Sequence, residues 1–318
     1  MKTTLLLVLA ALFSSAALAQ DYPKGPVRLI IPYPAGGTTD IYGRVLGAGL
    51  QQRFGQPFVV ENMPGAATAL AAERVARSAP DGQTLLMITV TTLAMNPLTV
   101  KDLRYKASDF APVGMVLRQP FVLVASHQFP PNNVKELLAY AKANPGKINW
   151  ATQGMAGSSH LLGELFQSLA DIKLFAVHYK GSTPANTDLF AGRADLHFDG
   201  SGTSLPNLAA KRVKAIAHTG DKRLAGAPDV PTFLESGMPG MVVWSWYGIV
   251  TPAGTPQPVI ARLNTEINAF MKTAEVQERM ARDGSEGSDM TPAQFGKMIA
   301  DETELWRKVL APLNLKLD

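Results

Sequence analysis

Short apolar runs rich in β-branched residues alternate along this chain with segments whose apolar positions recur every three or four residues. Residues 27–32 (VRLIIP) read as a strand. The loop 33–39 (YPAGGTT) then gives way to a helix over residues 40–54, where Tyr42, Leu46, Leu50 and Phe54 fall on one face. Gly55 stops that helix, residues 58–60 form the next strand, and a second helix is predicted from Ala66 to Ala76. After the turn Pro80-Asp81-Gly82, Thr84–Thr89 (TLLMIT) forms a third strand. Strand, loop, helix and strand in this order imply a parallel sheet with crossover helices.

The pattern restarts after two strands near residues 113–117 and 121–125. A helix over 134–143 ends at Asn144-Pro145-Gly146, and a strand at 148–151 leads through a Gly/Ser loop, 153–158, into a helix over 159–170. Strands at 175–178, 195–199 and 214–217 alternate with helices at 184–191 and 205–210. A strand at 246–251 and helices near 259–273, 276–283 and 292–310 close the chain. The α/β pattern fits two lobes, each a sheet flanked by helices. The expected division is a discontinuous lobe 1, residues 20–124 with 247–318, and an inserted lobe 2, residues 125–246, with the chain crossing near 125 and 246.

Composition narrows the chemistry. With 318 residues, 46% of them hydrophobic, the chain can bury cores for about two domains. It has no cysteine, which excludes disulfides, zinc–thiolate sites, iron–sulfur clusters and a cysteine nucleophile. A formal charge of +4, with no Lys/Arg cluster interleaved with aromatics, argues against nucleic acid as a partner. At the N-terminus, Lys2, the apolar residues 5–13 and Ala17-Leu18-Ala19 match a secretory signal peptide cleaved after Ala19. Its apolar core is too short to span a bilayer, which takes about 20 residues. An exported, periplasmic product is expected.

Two loops carry the candidate chemistry. Pro34-Ala35-Gly36-Gly37-Thr38-Thr39-Asp40 sits between a strand end and a helix start, where bare backbone N–H groups and the helix dipole favour an anion. A tight turn with an ordinary N-cap would look the same. Gly154-Met155-Ala156-Gly157-Ser158-Ser159-His160 repeats the design in the second lobe, and two such loops are what a cleft gripping an anion from both sides needs. Neither is a phosphate-binding P-loop or a dinucleotide fingerprint, so no nucleotide cofactor is implied. Asp195, His197 and Asp199 alternate along one strand and could hold a metal, but no H-E-x-x-H spacing supports that and no metal is expected. G-x-S-x-G is absent; an exported hydrolase built on Ser158, His160 and Asp199 stands as the competing class. Trp244 and Trp246 share a strand face and either pack the hinge or line the cleft.

Several ordered segments give the chain a recognisable look: VRLIIPYPAGGTTD, GQPFVVENMPGA, APDGQTLL, DFAPVG, NPGKINWATQGMAGSSH, HYKGSTPA, PDVPTFLESG and WYGIVTPAGTP. Together they resemble, nearly end to end, the Bug-type substrate-binding proteins of tripartite tricarboxylate transporters. The resemblance implies a two-lobed periplasmic-binding-protein fold of type II with a hinged cleft, no catalysis, a carboxylate ligand and transporter subunits in the membrane as partners, with a monomer expected. It carries ligand binding onto Tyr33, Gly36, Gly37, Thr38, Thr39, Ser158, Ser159, His160 and Asp199. Departures include Gly65-Ala66-Ala67-Thr68-Ala69, where the family has a glycine-rich helix start, together with Gln83, His197 and Trp244. Tyr33, Phe121, Phe198, Trp244 and Trp246 around the inferred cleft favour an aromatic mono- or dicarboxylate over citrate.

Overall fold

The computed structural model describes residues 22–311, so the expected signal peptide lies outside the described residues. Strands β1 (Val27–Ile31), β2 (Phe58–Asn62) and β3 (Thr84–Thr89) pair in parallel with β1 at the centre. Strands β5 (Asn149–Thr152), β6 (Phe175–His178) and β7 (Leu196–Gly200) do the same around β5. Two further strands join these triplets into one mixed sheet. They are β4 (Phe110–Ala125) and β9 (Trp244–Pro252), in the order β2-β1-β3-β9-β4-β7-β5-β6. The short strands β8 (Lys214–His218) and β10 (Glu286–Gly287) also pair with β4.

The helices cover both faces. Helix α1 (Thr38–Phe54) buries Tyr42, Leu46 and Leu50, the stripe legible in the sequence. It lies close on the sheet because Gly43 has no side chain: a Cβ there would stand 2.5 Å from Ile31 Cδ1. Next come α2 (Ala69–Ala76), α3 (Asn96–Thr99), α4 (Val134–Ala143), α5 (Ser158–Ala170), α6 (Ser182–Phe190) and α7 (Ser201–Ala209). The chain closes with α8 (Gln257–Met271), α9 (Ala274–Asp283) and α10 (Pro292–Leu310). Each half-sheet thus has an apolar cluster on either face, around Leu29 and Leu263 or Ile30 and Phe295 in one half. In the other half the clusters centre on Trp150 and Phe198 or on Val124 and Leu189. Strands buried on both faces read as continuous apolar runs, which is why they were legible.

Three expected elements differ, and the first is the helix expected at 205–210, which begins already at Ser201. The strands placed at 113–117 and 121–125 are one strand of 16 residues, Phe110–Ala125. Arg118-Gln119-Pro120, polar enough to suggest a break, stays in the ladder opposite Trp246, Ser245 and Trp244. The helix expected from Ala66 starts at Ala69, because Ala66, Ala67 and Thr68 hold φ of 46°, 45° and 78°, which no α-helix admits.

β4 changes partners between Pro120 and Phe121: up to Pro120 it pairs with β9, and from Phe121 with β7. Proline has no N–H to donate, so the ladder breaks there at little cost. Thr219 stitches the junction: its hydroxyl accepts from Phe121 N–H at 2.9 Å and donates to the Val243 carbonyl. Beside it Gln119, fully buried, donates to Tyr247 Oη at 2.6 Å and accepts from Gly202 N–H at 2.9 Å, tying one half-sheet to the helix of the other. Gln119→Leu would remove the acceptor of the Gly202 N–H and the donor to Tyr247 Oη. It should lower stability by about 1–3 kcal/mol, read as a lower urea midpoint at unchanged m-value.

Candidate functional site

The C-terminal ends of β1, β3, β5 and β7 face one another across the junction, where open α/β sheets bind ligands. The recess between them is lined by Tyr33, Gly37, Thr38, Thr39, Ser158 and Asp199 from the sequence-derived set. Thr89, Phe121, Gln153, Ser182, Ser245 and Tyr247 complete its polar and aromatic wall. It is narrow, with about 20 Å³ open to the centre of a water-sized sphere. The two lobes already touch around it. Thr183 Oγ1 donates to the Ala35 carbonyl at 2.9 Å, and Ser158 N–H donates to Thr91 Oγ1 at 3.1 Å.

Four helices begin at this recess, and each has a glycine at its N-cap with no side-chain cap: Gly37 of α1, Gly157 of α5, Gly181 of α6 and Gly200 of α7. Away from the recess, α4 and α10 are capped by Asn133 and Thr291 side chains, while α8 and α9 start at Pro256 and Thr273 with no side-chain cap. Thr91 and Gln119 take the Ser158 and Gly202 N–H groups, and the positive ends of the four helix dipoles point at one small volume. No lysine or arginine lines the recess. Its attraction for an anion therefore comes from backbone dipoles and hydroxyls.

The first loop is shaped by Asp40. Its carboxylate, 4% exposed, accepts from Gly36 N–H at 3.0 Å, from Asn62 Nδ2 at 2.9 Å and from Arg44. Burial alone would raise its pKa, but Arg44, the Gly36 N–H and Asn62 outweigh that and hold it below the usual carboxylate range. Gly36 carries the positive φ, 88°, while Gly37 is extended at φ −83°. The position that favours glycine on conformational grounds is thus Gly36, and Gly37 is the residue that borders the recess.

The second wall is organised by Asp199, 1% exposed at the end of β7. Its Oδ1 accepts from Ser182 Oγ at 2.7 Å, Gln153 Nε2 at 3.0 Å and Gly200 N–H at 3.0 Å. Its Oδ2 accepts from Thr203 Oγ1 at 2.7 Å and Asn186 Nδ2 at 2.8 Å. Five donors leave this carboxylate no capacity for a ligand cation; it holds Gln153 and Ser182 in place instead. Ser159 Oγ accepts from Gln153 N–H at 2.7 Å, and His160 Nδ1 accepts from Ala156 N–H at 3.2 Å. Both residues brace the second loop from within, and neither they nor Gly36 border the recess.

The remaining expectations sort as follows. Among the described residues no hydrogen bond joins His160 to Ser158 or Asp199; the imidazole stacks on Trp150 at 5.6 Å instead. Asp195 Oδ2 accepts from Asn149 N–H, and His197 Nδ1 lies 3.1 Å from Asn186 Oδ1. Of the five aromatics expected around the cleft, Phe198 is fully buried against Phe166 and Phe233, and Trp246 packs edge-on against Phe295. Trp244 lies under the Arg118 guanidinium. Only Tyr33 and Phe121 face the recess, joined by Tyr247, which the sequence did not single out. Burial keeps both phenols protonated well above their ordinary pKa. Ser182 and Gly200 could have been found: Gly-Ser at a strand-to-helix junction recurs at 181–182 and 200–201.

A family described as the tripartite tricarboxylate transporter family receptor, TctC, matches residues 42–315. The chain belongs to this family. As a TctC receptor it is similar in structure to the periplasmic binding protein BugD, 33% identical, with a TM-score of 0.89 over 93% of this chain and 99% of that one. It is also similar to an adipate-bound protein of R. palustris, 32% identical, with a TM-score of 0.90 over 92% and 98%. Malate-bound MatC from Rhodopseudomonas palustris is 31% identical, with a TM-score of 0.87 over 91% and 100%. The alternating α/β pattern and the two-lobed reading of the sequence hold.

Two tests follow from the geometry of this TctC receptor. A Cβ at Gly37 would meet only Ser182 Cβ, at 3.8 Å, so Gly37→Ala should fold and bind nearly normally, whereas Gly37→Leu should fill the recess and abolish ligand binding by calorimetry with the melting temperature retained. The second concerns pH. Burial, reinforced by His178, lowers the pKa of His160 to about 4, and burial lowers that of His218 to about 4. The unfolded chain takes up these protons from about pH 6.5 downward and the folded chain does not, so stability falls between pH 6.5 and 4. At pH 5 the loss should be on the order of 2 kcal/mol per histidine, and His160→Gln should flatten the urea-midpoint profile.

Proposed function

We propose that this chain is an exported, periplasmic solute-binding protein that captures a small dicarboxylate by closing two lobes on it and delivers it unchanged to membrane transporter subunits. One observation carries the reading: four glycine-capped helix N-termini converge on a recess with no cationic side chain. The signal peptide over residues 1–19 supports export, and no described helix is long and apolar enough to cross a membrane. The lobes divide where β4 changes partners at Pro120 and where β9 begins at Trp244, and they swing about those two crossings. The protein acts as a monomer.

For the ligand we favour an aliphatic over an aromatic diacid. Of the five aromatics behind the aromatic expectation, Phe198 and Trp246 are core residues, and only Tyr33 and Phe121 line the recess. The adipate- and malate-bound relatives support the aliphatic reading.

Thermal shift and calorimetry with succinate, malate, adipate, citrate, benzoate and benzene-1,4-dicarboxylate test it. A ligand at 100 times its Kd contributes about 2.7 kcal/mol, a rise in melting temperature of about 4 °C at this size. The expected responders are the aliphatic diacids, with a smaller radius of gyration on saturation. Response to benzene-1,4-dicarboxylate alone would restore the aromatic reading. Turnover of any ligand, or no response to any carboxylate, would sink the proposal.

A further inference from the structure

The lobes are also joined behind the recess, through the first turn of α5. This helix follows β5, and its Leu162 and Phe166 are buried in the second lobe's own cluster around Trp150 and Phe198. Gly163 lets it lie close on the sheet, since a Cβ there would stand 1.9 Å from Trp150 Cζ2. Leu162 and Phe166, one turn apart, define the face by which α5 docks on its own lobe. Leu161 points about 100° round the helix from Leu162 and does not join that cluster.

Leu161 is fully buried all the same, and it is buried in the core of the other lobe. It belongs to the cluster around Ile30 and Phe295, together with Leu93, Met95, Trp246 and Trp306. The neighbouring contacts agree. Ser158 N–H, three residues before it, donates to Thr91 Oγ1 at 3.1 Å. Thr91 opens a π-helical turn, Thr91–Met95, in which every residue is buried; such turns are rare and concentrate at functional sites. On its other side α5 packs against α10, which carries Phe295 and Trp306. Neither Leu161 nor Thr91 lines the recess.

We propose that Leu161 is a positioning residue for closure, a latch whose insertion into the first lobe's cluster keeps a share of the ligand-free protein closed and so sets the affinity for every ligand by a common factor. The proposal rests on the lobe-closing reading above and adds to it a contribution that the ligand does not make. Opening the lobes exposes the Leu161 side chain to water, and closing buries it again, whether or not a carboxylate is bound. The affinity read in solution is that of the closed form scaled by the fraction closed, so the latch acts on all ligands alike.

Calorimetry and small-angle scattering on the full mature chain test it, with Leu161→Val, Leu161→Ala and the volume-conserving Leu161→Met. Removing one methylene should weaken binding about threefold and removing the side chain beyond Cβ about tenfold, by the same factor for succinate, malate and adipate. The ligand-free radius of gyration should rise from wild type through Leu161→Val to Leu161→Ala, while the saturated proteins converge on one value. Leu161→Met should behave as wild type. A lower melting temperature with unchanged affinities and an unchanged ligand-free radius would make Leu161 a core residue only and overturn the latch. Losses that differ severalfold between ligands would overturn it too, by making Leu161 a ligand contact. Should Leu161→Ala not fold, Leu161→Val decides by the same readouts. If the wild type binds no carboxylate, the function proposed above fails, and the ligand-free radius of Leu161→Val still decides the latch.

Discussion

One strand has to satisfy two sheets at once. β4 runs unbroken for 16 residues, about 53 Å at strand rise, and each half of it must find ladder partners in a different lobe. Every buried N–H along it needs a home, and the exchange of partners at Pro120 and Phe121 is where one would be lost. The chain meets the demand locally. Proline has no N–H to lose, and the Thr219 hydroxyl takes the Phe121 N–H. Gln119 meanwhile spends both ends of its amide across the junction. The fold and the position of the cleft both follow from having one continuous element pass beneath the site.

The site is built without a cationic side chain, and the economy has a physical reason. An arginine clamp in so narrow a recess would itself need burial, with the desolvation that entails. Backbone N–H groups at helix ends are already desolvated in part and fixed in direction, so they present partial positive charge at no further ordering cost. The N-cap glycines offer these helices no side chain of their own, although Thr91 and Gln119 take the Ser158 and Gly202 N–H groups, and the arrangement requires rigid walls. Asp40 supplies rigidity on one side by holding Gly36 N–H and Asn62, and Asp199 on the other by holding Gln153, Ser182, Asn186 and Thr203. Both aspartates are buried carboxylates that organise the donors around the recess.

The histidines illustrate how position outweighs residue type. His160 borders the second binding loop in sequence, yet its ring is spent on Ala156 N–H and on stacking with Trp150. A neutral imidazole of that kind is a packing and hydrogen-bonding piece, and its cost appears only when acid offers the unfolded chain a proton.

Local patterning settled much of this protein before any coordinates. The apolar strand runs and the Tyr42–Leu46–Leu50 stripe gave the α/β alternation. Gly-Gly-Thr-Thr and Gly-Ser-Ser at strand-to-helix junctions located two of the loops that line the recess, because dipole and N–H exposure at a helix start are properties of the local chain. The glycine-serine junctions at 181–182 and 200–201 obey the same rule and were legible in principle. Tertiary structure alone decided what depends on pairs distant in sequence. The unbroken course of β4 required Ser245 opposite Gln119. The fate of Phe198 and Trp246 required Phe166, Phe233 and Phe295 beside them. A single strand pattern states which residues share a face, since side chains alternate with period two, but which face meets the core is fixed only by what packs against it.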